Sequence, residues 1–216
     1  MKPNFYRWGF YTLGMIILAL GLTLNTKTGL GVSPIVSVAY STSEIWGLNF
    51  GDATFSLYAL FVVVQLFLRP RREWPATLMQ LVVSLVFSRF LNLFSALVAY
   101  DCTKSPAPLN YVLLVLAIAC TGIGVSLTVN MRLSPNAGDG IVQAIAQKAG
   151  WEQGLGKNVF DVCCVTFTCL LGLAAAGRII GVGIGTLASM IGVGRAVALC
   201  NRLTKKTLCQ LSEVPL

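Results

Sequence analysis

The sequence predicts an all-α, polytopic membrane protein whose six transmembrane helices form two inverted three-helix repeats. Three observations carry this prediction. Of the 216 residues, 56% are hydrophobic and only 11% are charged, whereas soluble domains average about 25% charged residues. Six apolar segments approach the length of about 20 residues that a spanning helix needs. The basic residues concentrate in alternate gaps between those segments, as the positive-inside rule describes.

The spans are predicted from apolar runs that are separated by clusters of charged residues, prolines and glycines. The second run is short, so we expect it to recruit Gly51 and Asp52 at its start. Each boundary is set where the apolar run gives way to polar residues, because a lipid-exposed segment must remain apolar. The predicted spans cover residues 8–25, 53–68, 74–98, 109–131, 158–176 and 179–200.

The positions of Lys and Arg predict the orientation. They precede the first span and follow the second, fourth and sixth, whereas the opposite loops carry only Lys27, Lys104 and Arg178. Both termini are therefore expected in the cytoplasm. The net charge of +8 is explained by these loops, so we expect lipids rather than nucleic acid as the surroundings. The predicted cytoplasmic residues are Lys2, Arg7, Arg69, Arg71, Arg72, Arg132, Lys148, Lys157, Arg202, Lys205 and Lys206.

The two halves of the chain resemble one another. When "LGLTLNTKTGLGVSPIVSV" is placed over "IGVSLTVNMRLSPNAGDGI", Gly21 meets Gly124, and with short insertions the order of matches continues downstream. We interpret this as a duplication, with one repeat at 1–104 and a second at 105–216. Each repeat would hold three spans, so the second would lie upside down relative to the first, as in many transporters. The alternative is that two oily helical bundles share a few glycines and leucines.

A short polar segment follows the first span of each repeat. "SPIVSVAYSTSEIWG" and "SPNAGDGIVQAIAQKAG" each begin with a helix breaker and end with glycine, which predicts a helix of about three turns. Such a helix is too short to span. It either lies flat on the interface or enters the bilayer, and the duplicated breaker favours a re-entrant helix lining a cavity. The candidate cavity residues at the breakers are Ser33, Pro34, Ser134, Pro135, Asn136 and Gly138.

Three motifs carry a resemblance to a known family. They are "GLGVSP" after the first span, "NAGDGIV" after the fourth and "GVGIGTLASMIGVG" in the sixth. With these motifs the chain resembles the YczE/YyaS/YitT-like family of bacterial integral membrane proteins. The resemblance implies a transporter-like layout in the bacterial cytoplasmic membrane, and it implies no particular substrate.

Arg89 is a candidate for binding solute. It lies well inside the third predicted span, where a guanidinium costs on the order of 3 kcal/mol on insertion scales. The repeat offers it no acidic partner, because Ser56 occupies the position that Asp161 has in the other half. A cation without a partner near half-helix N-termini would suit an anionic or zwitterionic solute. The alternative is an arginine that snorkels or is paired structurally.

Two further acidic residues are candidates. Asp161 and Arg195 should reach similar depths in antiparallel spans, and we expect them to pair, either holding the helices together or gating an ion or proton. Asp139 begins the second short segment. Its simplest role is an N-cap that accepts bonds from free amides, and its alternative role is to line the cavity and bind a cation or proton.

Small residues recur every four positions near the sixth span, at Gly177, Gly181, Gly185 and Ser189. This spacing lets helices approach closely. It would serve either the interface between the repeats or a homodimer.

The sequence contains no pattern of a catalytic or metal site. The chain has no histidine, its seven cysteines form no CxxC pair, and it lacks GxSxG, Walker A and zincin motifs. We therefore expect neither an enzyme nor a bound cofactor or metal. The favoured function is a small-solute transporter working by alternating access, and the alternatives are a passive channel or a non-transporting subunit that captures substrate for another protein.

Overall fold

The computed structural model describes residues 5–213, and every regular element among them is helical. Six of these helices are long and apolar enough to cross a membrane, which confirms the all-α class and the number of candidate spans. Lys2, one of the basic residues predicted to be cytoplasmic, lies outside the described residues. The helices are α1 (Phe5–Lys27), α2 (Pro34–Trp46), α3 (Phe50–Leu68), α4 (Trp74–Leu97), α5 (Ala107–Asn130), α6 (Ala137–Ala149), α7 (Gln153–Ala176) and α8 (Ile184–Leu211), and a 3₁₀ turn, Arg71–Glu73, precedes α4.

Helix α3 takes in Gly51 and Asp52, as expected, but α8 differs from the predicted span 179–200 at both ends. Gly177 has φ 67° and ends α7, and Gly181 has φ 79°. Left-handed residues cannot continue a right-handed helix, so α8 starts only at Ile184. At its other end, α8 continues to Leu211, beyond the apolar segment that ends at Cys200, because the basic run that follows consists largely of good helix formers.

The two short helices predicted after the first span of each half are α2 and α6. Each has 13 residues, which gives a length of about 20 Å. Pro34 opens α2, where its missing N–H costs nothing. Both helices end at a left-handed glycine, Gly47 with φ 63° and Gly150 with φ 68°. Neither helix is long enough to cross a bilayer.

The spans pack against one another and in part against the short helices. Helix α1 packs along α5, α8 also packs against α5, and α4 packs against α3 and α1. The short helix α2 packs against α7 and α3, and α6 packs against the same two helices. Most of the buried apolar residues form one cluster around these contacts, with Tyr58, Phe61 and Phe87 among its aromatic members.

Candidate functional site

The first turns of α2 and α6 meet inside the helical bundle. A Cβ atom added to Gly138 of α6 would lie 3.4 Å from Cγ2 of Ile35 in α2 and 3.7 Å from the hydroxyl of Tyr58 in α3. Ile35 and Tyr58 are buried. The polar breaker residues predicted to line a cavity therefore lie where two helix N-termini converge, next to a tyrosine that the sequence analysis did not single out.

The loop before α6 is held by α1. The Arg7 side chain donates from Nε to the Met131 carbonyl at 2.6 Å and from Nη2 to the Arg132 carbonyl at 2.9 Å. The Tyr11 hydroxyl donates to the Ser134 carbonyl at 2.9 Å. A guanidinium suits this place, because the carbonyls at the end of α5 are partly negative and lack helical partners. The Ser134 hydroxyl bonds only locally, to the Pro135 carbonyl at 3.5 Å.

Asn136 is the N-cap of α6. Its Oδ1 accepts from the Gly138 backbone N–H at 3.4 Å, and its Nδ2 lies 3.5 Å from the Tyr58 hydroxyl. The prediction that Asp139 caps this helix was wrong, because Asn136 has the extended backbone of a cap whereas Asp139 is already helical. Asn136 also lines a narrow cavity of about 10 Å³ beside Tyr11, which is room for roughly one water molecule.

Asp139 belongs to a cluster of charges between α6 and α7. Lys157 Nζ lies 3.3 Å from Oδ2 of Asp161, whose side chain is almost completely buried. Burial raises the pKa of Asp139 above its usual value, Lys157 opposes the shift, and the charge of Asp161 adds to it. Lys157 thus pairs directly with Asp161 and acts on Asp139 through its charge. The structure brings together two of the predicted site residues, Asp139 and Asp161, through a lysine that was counted only as a topology signal.

A pair of buried amides supports the first turn of α6 from the other side. Gln65 and Gln80 exchange hydrogen bonds of 3.0 and 3.2 Å, and Gln65 also donates to the Ala137 carbonyl at 3.4 Å. Arg69 donates from Nη2 to the Gly140 carbonyl at 3.2 Å. These residues were not among the predicted site residues. Their signal was available, because the two glutamines interrupt apolar runs at similar distances from the Arg71–Glu73 turn.

Arg89 has an acidic partner, so the expectation that it lacks one was wrong. Its Nη2 lies 3.0 Å from Oδ1 of Asp52 in the first turn of α3. Asn92 donates to the same Asp52 oxygen at 3.1 Å and accepts from the Gly51 N–H at 2.8 Å. The side chains of Arg89 and Asp52 are 59% and 45% exposed. The alignment of the two halves pointed to Ser56 as the facing residue, whereas the actual partner, Asp52, lies four residues earlier, one turn along the helix.

Asp161 does not pair with Arg195 in the part of the chain that the structure describes. Its partner is Lys157, one turn away on α7. Arg195 is exposed on α8, and α8 packs against α5 rather than against α7. The prediction assumed that spans joined by a short loop are neighbours, and the course of the chain after Gly177 separates them.

The loop before α2 docks onto the start of α8. Val32 donates to the Gly181 carbonyl at 2.9 Å, and Gly185 donates to the Leu30 carbonyl at 2.7 Å. Ser33 is the N-cap residue of α2, with its side chain free of a capping bond, and Pro34 follows. The carbonyl oxygens of Leu30 and Gly31 lie so near that a Cβ on Gly185 would stand 2.9 and 2.7 Å from them.

The series of small residues therefore packs against a loop more than against a helix. Asn25 at the end of α1 donates to Ser189 at 3.0 Å, so Gly185 and Ser189 do support a close approach. Gly177 and Gly181 precede α8, which contradicts their placement on a helical face. Gly177 ends α7, and a Cβ there would meet nothing within 4 Å.

These features define a polytopic α-helical membrane protein. A family model described as "Family of unknown function (DUF6198)" matches residues 5–202, and the chain belongs to this family. It is 30% identical over 193 residues to the "Uncharacterized membrane protein YczE" of Bacillus subtilis (strain 168), which covers 87% of this chain and 82% of the relative. The resemblance seen in the three sequence motifs is thereby confirmed. No solved structure matches the chain.

Proposed function

We propose that the protein is a non-enzymatic transporter of a small solute, in which two inverted three-span halves alternate access around the meeting point of α2 and α6. The observation that carries the proposal is the approach of the two helix N-termini, marked by Ile35 and Gly138. Solute sites of transporters built from inverted repeats commonly lie where broken helices meet near the bilayer midplane.

The depth of the short helices supports this proposal. Helix α2 ends at Trp46 and α3 begins at Phe50, so the end of α2 lies at the membrane face where α3 enters. The N-terminus of α2 is about 20 Å from that end. By the same argument, the end of α6 lies at the face where α7 enters, on the opposite side. The C-terminal ends of the two helices therefore lie at opposite faces, while their N-termini touch. Both helices would then extend into the interior of the membrane, as re-entrant helices do.

The contacts between the halves support the inverted repeat. Helix α2 of the first half packs against α7 of the second, and α6 of the second half packs against α3 of the first. These two contacts correspond to each other under the duplication, and the first spans of the two halves, α1 and α5, lie side by side. Alternating access needs such exchange contacts, because one half must move against the other around a shared site.

The charges at the site favour a solute with a cationic group, and among the predicted classes they favour a zwitterion over an anion. Arg89 is neutralised by Asp52, which removes the main argument for a free anion site. Asp139 in the first turn of α6 lies close enough to Asp161 to feel its charge, and Lys157 is the basic side chain that offsets these two acids among the described residues. When both carboxylates are ionised, the cluster has a net negative charge, which attracts a cationic group or the coupling proton.

The proposed location is the bacterial cytoplasmic membrane, with both termini in the cytoplasm. The support is the concentration of Lys and Arg at the ends of α1, α3, α5 and α8 that would face the cytoplasm. Alkaline phosphatase is active only outside the cytoplasm, so fusions after residue 104 should be active and fusions after residue 206 inactive. The reverse pattern would overturn the orientation.

Flux into liposomes tests the transport function. Purified protein is reconstituted and uptake of isotope-labelled zwitterionic metabolites is measured with and without a pH gradient, for the native chain and for Asp139→Asn. A matched control is Asp101→Asn, in the exposed loop after α4. We expect saturable uptake that Asp139→Asn reduces at least tenfold and Asp101→Asn leaves unchanged. Uptake without saturation would indicate a channel, and uptake that appears only with a co-purified ATPase would indicate a capture subunit.

A further inference from the structure

A second cavity lies away from the meeting point of the short helices. It is a cleft of about 270 Å³ between the loop that follows α1, the outward turns of α2 and the loop that joins α7 to α8. We call it the glycine-loop cleft, after Gly29, Gly31 and Gly181 in its wall. The volume is slightly below that of pockets for drug-sized ligands, so it suits a small metabolite.

The cleft presents one acid and one base from different elements. Glu44 lies in the last turn of α2, and Arg178 follows the glycine that ends α7. Both residues are exposed. Among the ion pairs and side-chain hydrogen bonds of residues 5–213, neither side chain takes part, so a carboxylate and a guanidinium face one small cleft without neutralising each other.

Glu44 stands at an electrostatically unfavourable place. The C-terminus of a helix is partly negative, so a carboxylate there is unfavourable, and the last turn of α2 holds no basic residue that would offset it. Arg178 is favoured at the end of α7 for the opposite reason. The acid therefore needs an explanation other than the stability of α2, and a positively charged ligand supplies one.

Tyr40 adds an aromatic wall one turn before Glu44. Burial raises the pKa of Tyr40 to about 12, and the nearby charges of Glu44 and Cys102 contribute to the shift. The hydroxyl is therefore a neutral donor at physiological pH. The ring stands over Gly181, where a Cβ would lie 2.9 Å from Tyr40 Cδ1. An aromatic ring beside a carboxylate is a favourable surface for an ammonium group.

The loop that carries Gly181, beside Tyr40, is held in place by the loop before α2. Backbone hydrogen bonds from Val32 to Gly181 and from Gly185 to Leu30, of 2.9 and 2.7 Å, tie the two loops together. The cleft is therefore formed before any ligand binds, and a preformed site loses less conformational entropy on binding.

We infer that the glycine-loop cleft binds a small zwitterion, with its ammonium group at Glu44 and Tyr40 and its carboxylate at Arg178. The inference rests on the proposed transport function, which it deepens by naming the chemical class of the solute and the residues that first recognise it. The cleft lies at the ends of α1, α2 and α7, so under the proposed orientation it opens to the outside of the cell.

Thermal unfolding of the purified protein in detergent tests the inference, because a ligand that binds the native state raises the melting temperature. The probes are the zwitterions L-serine, β-alanine and glycine betaine. Ethanolamine and propionate are matched probes with a single charge. The variants are Glu44→Gln and Arg178→Gln, and the control variants are Glu213→Gln and Arg72→Gln, whose side chains are exposed elsewhere.

We expect at least one zwitterion to raise the melting temperature and the singly charged probes to do so at concentrations about 10- to 100-fold higher, because each lost charge-assisted contact weakens binding by that factor. Glu44→Gln and Arg178→Gln should each weaken zwitterion binding by the same factor, and the control variants should bind normally. Absence of any shift with all three zwitterions, or normal binding by both cleft variants, would overturn the inference.

A second measurement needs no variant. Cys102 Sγ lies beside the cleft, 2.6 Å from where a Cβ on Gly29 would stand. A bound zwitterion should slow the modification of Cys102 by a maleimide, read as the fraction of modified peptide by mass spectrometry. Propionate at the same concentration is the control and should leave the rate unchanged. An unchanged rate at saturating zwitterion would contradict the inference.

The flux experiment separates the two proposals. Zwitterion binding that Glu44→Gln weakens, without any saturable uptake, would support the cleft and overturn the transporter. Saturable uptake that is unaffected by Glu44→Gln and Arg178→Gln would support the transporter and overturn the cleft.

Discussion

Asp52 and Arg89 form an ion pair of 3.0 Å across the hairpin of α3 and α4. The carboxylate also accepts a hydrogen bond of 3.1 Å from Asn92. The pair turns a side chain that looks like an isolated cation into part of a small polar network between two spans. Arg89 is therefore first a structural residue.

We expect Asp52→Asn and Arg89→Gln each to lower the melting temperature, and the double variant to be more stable than the sum of the two effects predicts. Both side chains are more than a third exposed, so the coupling free energy should be only about 1 kcal/mol. A double-mutant cycle measured by thermal unfolding in detergent gives this coupling. The pair Asp101–Lys104, at 3.3 Å and more exposed, is the control and should show almost none. Additive effects at Asp52 and Arg89 would contradict the structural role.

The hydrogen-bonded pair of Gln65 and Gln80, which packs against the first turn of α6, predicts that alanine substitutions at Gly138 and Gly140 will change stability differently. A Cβ on Gly140 would lie 2.7 Å from Oε1 of both Gln65 and Gln80, whereas a Cβ on Gly138 would lie no nearer than 3.4 Å to any neighbour. Gly140→Ala should therefore destabilise by about 1–3 kcal/mol, because the core is overpacked. Gly138→Ala should be neutral or stabilising by up to about 0.5–1 kcal/mol, because alanine favours the helix and the new Cβ makes only ordinary contacts.

Chemical denaturation of the two variants in mixed micelles would measure these differences. A further variant separates crowding from loss of the hydrogen bonds. Gln80→Ala removes one amide and makes room for the new Cβ, so it should partly rescue Gly140→Ala. If both glycine variants have the same stability, the tight contact at Gly140 is wrong.

The docking of the α1–α2 loop onto α8 predicts a strong effect at Gly31. Its φ is 103°, and a Cβ would stand 2.5 Å from the Gly183 backbone nitrogen. Gly31→Ala should therefore cost about 2–5 kcal/mol, the sum of backbone strain and overpacking against a backbone that cannot move aside. The measurement is the fraction of protein that elutes as a single species in size-exclusion chromatography, with its melting temperature.

Gly47 is the matched control, because its φ is also positive, at 63°, but a Cβ there would meet nothing within 4 Å. Gly47→Ala should cost only the strain of about 1–2 kcal/mol. Equal losses of stability in Gly31→Ala and Gly47→Ala would mean that backbone strain alone explains both effects. The α1–α2 loop would then not be packed tightly against α8.

Much of the fold was predictable because long apolar runs and helix breakers are local signals. The inclusion of Gly51 and Asp52 in α3 and the glycine ends of α2 and α6 followed from them. The end of α8 could not be predicted from these signals, because a helix can continue after the chain has left the membrane. Its start was displaced by Gly181, whose left-handed φ depends on docking against the loop before α2.

The site was predictable in its location and less so in its contacts. Asn136 and Asp139 both suit a cap, and only the backbone conformation decides between them. The partner of Asp161 is Lys157, one turn away on α7, and this spacing could have been read from the sequence. That α8, which carries Arg195, packs against α5 rather than α7 is what a sequence without an alignment does not specify. The pairs of the α3–α4 hairpin are different. In each pair, the two residues lie about equally far before and after one tight turn: Gln65 pairs with Gln80, and Asp52 pairs with Arg89. The antiparallel register of the hairpin alone could therefore have predicted both pairs.

The partly buried position of Asp139 predicts how stability depends on pH. Its pKa is raised above the usual value of an aspartate, mainly because desolvation of the carboxyl group disfavours the charged form. The folded protein therefore holds the proton more tightly than the unfolded chain does. The contribution to stability is fully present below about pH 4, falls as the pH rises, and is lost above the folded pKa. Replacing the carboxyl by an amide removes this loss.

We accordingly expect Asp139→Asn to melt at a higher temperature than the native protein at pH 8, with a difference that shrinks toward pH 4. Asp101 is the control of opposite sign. Hydrogen bonds from Thr103 lower its pKa, so Asp101→Asn should be less stable than the native protein at neutral pH, and the difference should still be present near pH 4 and disappear only as the pH falls through the lowered pKa of the folded protein. Melting temperatures from about pH 2 to 8 in one detergent test both. A native protein that is more stable than Asp139→Asn at pH 8 would show that the carboxylate is satisfied in its charged form.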